Sequence, residues 1–161
     1  MMRSNHGNNN RRSGMFKHIL VPTDGSESSD KSAKQAVALA QQFKAKITAI
    51  HVFAPNFGIY YGEAVWVDDK MQMQLRETAE TEGHKYLDGI EAAAKAADVP
   101  FERVLLEGDS PWKGIVETAE NRGCDLIMMA AHGRRGLAAL VLGSETNRVL
   151  THSKIPVLVY R

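Results

Sequence analysis

Apolar positions along this chain fall into two alternating rhythms. Short, nearly continuous apolar runs occupy Phe16–Val21, Lys46–Phe53, Phe101–Glu107, Asp125–Ala130 and Ile155–Val159. Such runs read as strands buried on both faces. Between them the apolar residues recur at steps of three and four, the period of an amphipathic helix. Ala33, Ala36, Val37, Ala40 and Phe43 mark the first helix, and its small alanines suit close packing on a sheet. Met71, Leu75, Ala79, Tyr86, Ile90, Ala93 and Ala97 mark a long helix over Asp69–Ala97. Trp112, Ile115, Val116 and Ala119 mark a third, and an amphipathic stretch from Gly143-Ser144 to Leu150 marks the last.

The punctuation agrees with these elements. Pro22-Thr23-Asp24-Gly25-Ser26 reads as a turn, after which Ser26, Ser28 or Ser29 can cap a helix. Gly108-Asp109-Ser110-Pro111 predicts a helix start with Ser110 as the cap and Pro111 at the first helical position. Gly123 predicts the end of that helix. The segment Ala54–Asp68 breaks the pattern: Pro55, Gly58, Gly62, Phe57, Tyr60, Tyr61 and Trp66 show no clear period, so it reads as a loop. Its aromatics either pack beneath it or cover a site or a partner.

Strands alternating with helices predict an α/β fold: an open, doubly wound, five-stranded parallel sheet with helices on both faces. Ligands of such sheets bind beyond the carboxyl ends of the strands, where the strand order reverses. The loops Pro22–Ser26 and Ala130–Gly136 are expected to meet there.

Composition narrows the picture. The chain has 161 residues, enough for one domain with one developed core. Residues 1–14, MMRSNHGNNNRRSG, carry no aliphatic residue after Met2 and no signal-like apolar stretch. They read as a disordered tail before a domain at 15–161. A net charge of +1 gives no support to nucleic-acid or membrane binding. The single cysteine, Cys124, excludes an intrachain disulfide and fits a reducing, cytoplasmic setting. No apolar run approaches the ~20 residues that span a bilayer.

The chemistry concentrates in AAHGRRGLAALVLGS, Ala130–Ser144, which follows a buried strand and opens a helix. A helix start leaves backbone N–H groups unpaired and its dipole favours an anion. Glycines such as Gly133 and Gly136 allow close backbone approach. Arg134 and Arg135, set between them, suit charge-assisted contacts to phosphate. His132 could hold the loop by a hydrogen bond or act as an acid or base. Cys124, Met128 and Met129 read as packing residues, and His51 as a structural strand residue. The chain lacks the G-x-G-x-x-G fingerprint after its first strand, the G-x-x-x-x-G-K-[ST] loop, zinc spacing and a G-x-S-x-G elbow.

From Met15 to Arg161 the chain resembles a universal stress protein domain. The resemblance rests on HILVPTDGSESS (His18–Ser29), on Ile50-His51-Val52, and on Ala130-x-x-Gly133-x9-Gly143-Ser144 before Ile155–Val159. The family's ATP-binding pattern is G-x2-G-x9-G-[ST], so Ala130 stands where the pattern has its first glycine. The resemblance implies an adenine nucleotide alpha-hydrolase-like sheet, a homodimer, and adenine-nucleotide binding with Mg²⁺ bridging the phosphates. It places Asp24 and the Pro22-Thr23 backbone toward adenine and ribose, and the Val52 backbone toward adenine. Gly133, Gly143 and Ser144 would then hold the phosphates with Thr146 close behind. His132, Gly136 and Glu145 complete the candidate set. At Ala130 a left-handed backbone would make the methyl cost ~1–2 kcal/mol. The other expectation is a collision of the methyl with the ribose.

The expected function is an ATP-binding, dimeric regulatory module of the stress response, paired through the strand Ile155–Val159. The alternatives are a slow ATPase or phosphotransferase, and an interaction module without nucleotide. The chain shows no evident base to orient a nucleophile, so any turnover should be slow.

Overall fold

A computed structural model describes residues 15–54, 59–60, 63–64, 68–133 and 142–161. The tail 1–14, with its expected disorder, lies outside the described residues. The elements run β1 (His18–Pro22), α1 (Glu27–Phe43), β2 (Lys46–Phe53), β3 (Ile59–Tyr60), β4 (Glu63–Ala64), α2 (Asp69–Ala96), β5 (Phe101–Glu107), α3 (Pro111–Asn121), β6 (Leu126–Ala130), α4 (Ser144–His152) and β7 (Val157–Tyr160). Five strands form one parallel sheet in the order β5-β2-β1-β6-β7. The chain winds outward from β1 to β5 and then returns to the other side of β1. The strand order therefore reverses between β1 and β6, as the doubly wound reading expects.

Side chains alternate across each strand. Ile19, Val21, Ile47, Ala49, Leu126 and Met128 pack with Ala33, Ala36, Val37 and Ala40 of α1 and Leu87, Ile90 and Ala94 of α2. Leu20, Ile50, Ile127 and Met129 face the other way, onto Ile115, Val116 and Ala119 of α3 and Val149 of α4. Ile19, Leu20 and Val21 are each 0% exposed, so the central strand has no polar face. Full burial of one such side chain contributes about 1.5–3 kcal/mol. Among the described residues, no helix is long and apolar enough to cross a membrane.

Several element ends differ from the sequence reading for identifiable reasons. The first strand starts at His18 rather than Phe16, and the fourth long strand at Leu126 rather than Asp125. The Asp125 carboxylate accepts the Lys17 N–H (2.8 Å) and the His18 N–H (3.0 Å), so a side chain replaces the ladder there. The last strand starts at Val157 rather than Ile155. The Ile155 N–H donates to Ser153 Oγ (3.0 Å), and Pro156 has no N–H to donate. Within Ala54–Asp68, read as a loop, β3 and β4 form a two-residue antiparallel ladder, Ile59↔Ala64 and Tyr60↔Glu63. Two residues are too few to leave a period in the sequence. The side chains of Phe57, Tyr60, Tyr61 and Trp66 lie outside the described residues.

At the amino ends of the strands His18 is buried, with Nε2 2.7 Å from Thr48 Oγ1. The Thr48 hydroxyl in turn donates to Glu102 Oε2 (3.4 Å), which also accepts from Arg122 (2.9 Å). Burial, then the Lys46 ammonium, hold the imidazole below its ordinary value of 6.5, outweighing Glu102, Asp125 and the bond with the Arg122 backbone. The unfolded chain thus takes up a proton near pH 6.5 that the folded chain resists. Stability should be full above that pH and fall as the pH drops through it. The urea midpoint should show this decline as the pH falls below about 6.5, and His18→Gln should flatten it. Burial also pushes the Cys124 thiol up to about 11. A disulfide reagent at neutral pH should therefore label the native protein no faster than it unfolds.

Candidate functional site

The β1–α1 loop is set by its own side chains. Thr23 N–H donates to Ile50 O (2.9 Å), the last backbone rung between β1 and β2. Thr23 Oγ1 accepts the Gly25 N–H (3.1 Å), and Asp24 Oδ1 accepts the Ser26 N–H (3.0 Å). These two short turns aim the chain into α1, whose first turn is capped by Ser26 through the Ser29 N–H (3.2 Å). Gly25 has φ +73°, and a methyl there would overlap the ring of Tyr86 from α2.

The second loop leaves β6 beside the first. Ser28 of α1 donates its hydroxyl to His132 O (3.0 Å), joining the two loops. A methyl on Gly133 would overlap Asp24 Oδ2. A larger residue there would push the Asp24 carboxylate from its place. His132 Nε2 is buried and unpartnered among the described residues, so the backbone of His132 ties the loop while its ring does not.

Two bonds then fix the start of α4 to the end of β6. Gly143 N–H donates to Ala131 O (2.8 Å), and the Thr146 hydroxyl donates to Ala130 O (3.0 Å). The amide of Gly143 is therefore already engaged. Gly143 is also the N-cap and supplies no capping side chain, which leaves the first-turn amides from Ser144 onward for an outside acceptor. Glu145 does something else: its Oε2 accepts the Trp112 N–H (2.8 Å) at the start of α3. Ser110 holds the N-cap position of α3 but makes no side-chain cap bond, so the cap expected of Ser110 comes from Glu145 of another helix.

These elements enclose a cleft of about 880 Å³ at the carboxyl ends of β1, β2 and β6. Pro22, Thr23, Asp24, Val52, Ala130, His132, Gly133, Gly143, Ser144, Glu145 and Thr146 all line it. Arg134, Arg135 and Gly136 lie outside the described residues. Asp109, at the end of β5, also lines the cleft and escaped the motif reading. Its signal was its place just beyond a strand's carboxyl end. Ile50, Ile115 and Met129 give the cleft an apolar wall, a volume and lining suited to a nucleoside-sized ligand. Ala130 closes β6 opposite Tyr160, and its φ is not positive. The methyl therefore carries no left-handed strain, and only its bulk in the cleft wall remains.

Gly25→Ala should combine a left-handed backbone with the overlap on Tyr86 and lower the unfolding free energy by about 2 kcal/mol or more. Adding Tyr86→Ala should recover the steric share and leave the conformational one, a comparison that chemical denaturation of the single and double variants reads directly.

Comparison with known proteins bears on the fold and the family. Universal stress protein MJ0531 of Methanocaldococcus jannaschii is 35% identical over 149 residues, covering 91% of this chain and 83% of that protein. The structure of MJ0577, from the same organism, superposes with a TM-score of 0.74 at 26% identity, covering 90% of this chain and 95% of that one. A universal stress protein in complex with cAMP superposes with a TM-score of 0.67 at 24% identity, over 91% of this chain and 97% of that one. The universal stress protein family profile matches residues 15–161. The chain belongs to the universal stress protein family.

Proposed function

We propose that the cleft binds an adenine nucleotide, ATP with Mg²⁺, and that the chain works as a homodimeric, cytoplasmic regulatory module. The observation that carries this reading is the convergence of the two loops with the uncapped start of α4 on one cleft. Adenine would lie against Val52 and the apolar wall, the ribose hydroxyls at Asp24, and the phosphates at the amides of Ser144–Thr146. A fold relative in complex with cAMP supports a purine ligand of this kind.

Charge gives Mg²⁺ a reason. The described lining includes Asp24, Asp109 and Glu145 and no lysine or arginine. A polyphosphate entering it needs added positive charge beyond the α4 dipole. No group of three or more candidate metal-ligating side chains exists among the described residues. That fits a Mg²⁺ held by phosphate oxygens and water with at most one or two carboxylates. The arginines Arg134 and Arg135 would add to it.

β7 is an edge strand of the sheet, and Leu158 on it is 37% exposed. Pairing of two β7 edges across a two-fold axis would cover both. Sedimentation should give a dimer at micromolar concentration, and Leu158→Lys should shift it toward monomer.

Calorimetric titration of nucleotide-stripped protein tests the site. ATP with Mg²⁺ should bind at about micromolar Kd, near −8 kcal/mol. Removing Mg²⁺ with a chelator, or Gly133→Ala, should weaken it at least about tenfold, ~1.4 kcal/mol. Ala130→Gly should change affinity by less than about threefold, because no backbone strain is there to relieve. A wild-type protein that gives no heat with ATP would contradict the proposal.

A further inference from the structure

The Thr23 carbonyl is in an unexpected place. In β2 the backbone groups of successive residues face alternate neighbours. Lys46 N–H donates to Lys17 O and Thr23 N–H to Ile50 O, so the even-numbered residues of β2 face β1. Ile47 N–H donates to Pro100 O and Gly108 N–H to Phe53 O, so the odd-numbered residues face β5. Val52 therefore turns its N–H and C=O toward β1. The next rung of that ladder would carry the Val52 N–H to Thr23 O. Between these described residues that rung is not made: Thr23 N–H to Ile50 O is the last backbone bond from the β1 side to β2. Thr23 O instead lies 2.8 Å from Nδ1 of His51, the residue beside Val52. A carbonyl only accepts, so Nδ1 carries the proton and donates.

The imidazole is held for this task. A methyl on Gly83 of α2 would come within 2.7 Å of His51 Cδ2 and 2.6 Å of Leu105 Cδ1, so glycine makes the room for the ring. One turn further along α2, Tyr86 meets the ring edge-on, with centroids 5.2 Å apart at 80°. Tyr86 also lies against Gly25 of the same loop. His51 is thus clamped by one helix face while it holds the loop carbonyl.

We propose that His51 is a positioning residue of the nucleotide site: by taking the Thr23 carbonyl it ends the β1–β2 ladder one rung early and leaves the Val52 backbone open to a base. An exposed N–H beside an exposed C=O matches the N1 acceptor and amino donor of adenine. It mismatches guanine, which presents a donor and an acceptor in the reverse order. The ligand half of this inference rests on the adenine reading above; the diverted rung does not.

Amide hydrogen exchange of the free protein tests the rung. The Val52 amide should exchange at least about tenfold faster than that of Ile50, whose N–H belongs to the ladder. His51→Phe keeps an aromatic ring but loses the donor, and should slow Val52 as the Thr23 carbonyl returns to it. His51→Asn restores a donor where Nδ1 stood and should keep Val52 fast. His51→Leu serves as a second donor-less variant should the phenylalanine misfold. Titration with AMP and with GMP, both in Mg²⁺, tests the consequence. The AMP-over-GMP preference should fall at least about fivefold in His51→Phe and return in His51→Asn. A general loosening of the fold would weaken both nucleotides alike. A Val52 amide as protected as that of Ile50 in the wild type overturns the proposal. So does an unchanged AMP:GMP ratio in His51→Phe, or an asparagine variant no better than the phenylalanine. If exchange follows the expected pattern while the wild type binds neither nucleotide, the diverted rung is upheld and the proposed function is rejected.

Discussion

The structure depends on one divergence. β1 sits at the centre of the sheet with β2 on one side and β6 on the other, and the chain leaves β1 in one direction and returns in the other. No helix can cover the point where the two connections part, so a gap opens beyond the carboxyl end of β1. Everything that defines the cleft is a response to that gap. The β1–α1 loop closes on itself through Thr23 and Asp24, Ser28 joins it to His132, and Gly143 and Thr146 tie α4 back to β6. These bonds satisfy backbone groups that would otherwise end in a buried or half-buried site without a partner, at a cost of about 1–3 kcal/mol each. What remains unsatisfied is the first turn of α4, and it faces the gap.

The glycines of the motif divide their work accordingly. Gly133 is small because Asp24 lies on it, and Gly143 gives its amide to Ala131. Both contacts are made within the protein itself. Glu145, which the motif places between Ser144 and Thr146, reaches away to accept the Trp112 N–H at the start of α3. The family's sequence pattern is therefore partly a pattern for assembling the loop itself. Ala130 belongs to the same lesson. Its departure from the family pattern looks like a conformational defect on paper, yet the residue ends a strand with ordinary backbone.

Much of the fold was legible because its strands are buried on both faces. Ile19-Leu20-Val21 and Leu126-Ile127-Met128-Met129 read as apolar runs because alternate side chains enter two different cores. The helices were legible by period, and Asp69 was placed correctly as the first residue of α2. Two of the differences share a cause: a side chain from elsewhere does work that local sequence assigns to the backbone or to a neighbour. Asp125 takes the N–H groups before β1, and Glu145 takes the cap of α3 from Ser110. Such partners lie 33 to 108 residues away and leave no local signal. The motif residues that line the cleft sit at strand ends, in the loops beyond β1 and β6 and at the start of α4, where the topology delivers them. His51 was readable only as a strand residue, because its partner, the Thr23 carbonyl, lies 28 residues away in another loop.

The most direct test is a two-dimensional amide NMR titration of the stripped protein with AMP. The account predicts shifts confined to the rim of the β1/β6 cleft: Thr23 to Gly25, Val52, His132, Gly133 and Ser144 to Thr146. The amides around His18, Thr48 and Glu102, at the far end of the same strands, should stay where they are. Absence of shifts at the rim, or shifts centred on another face of the molecule, would contradict it.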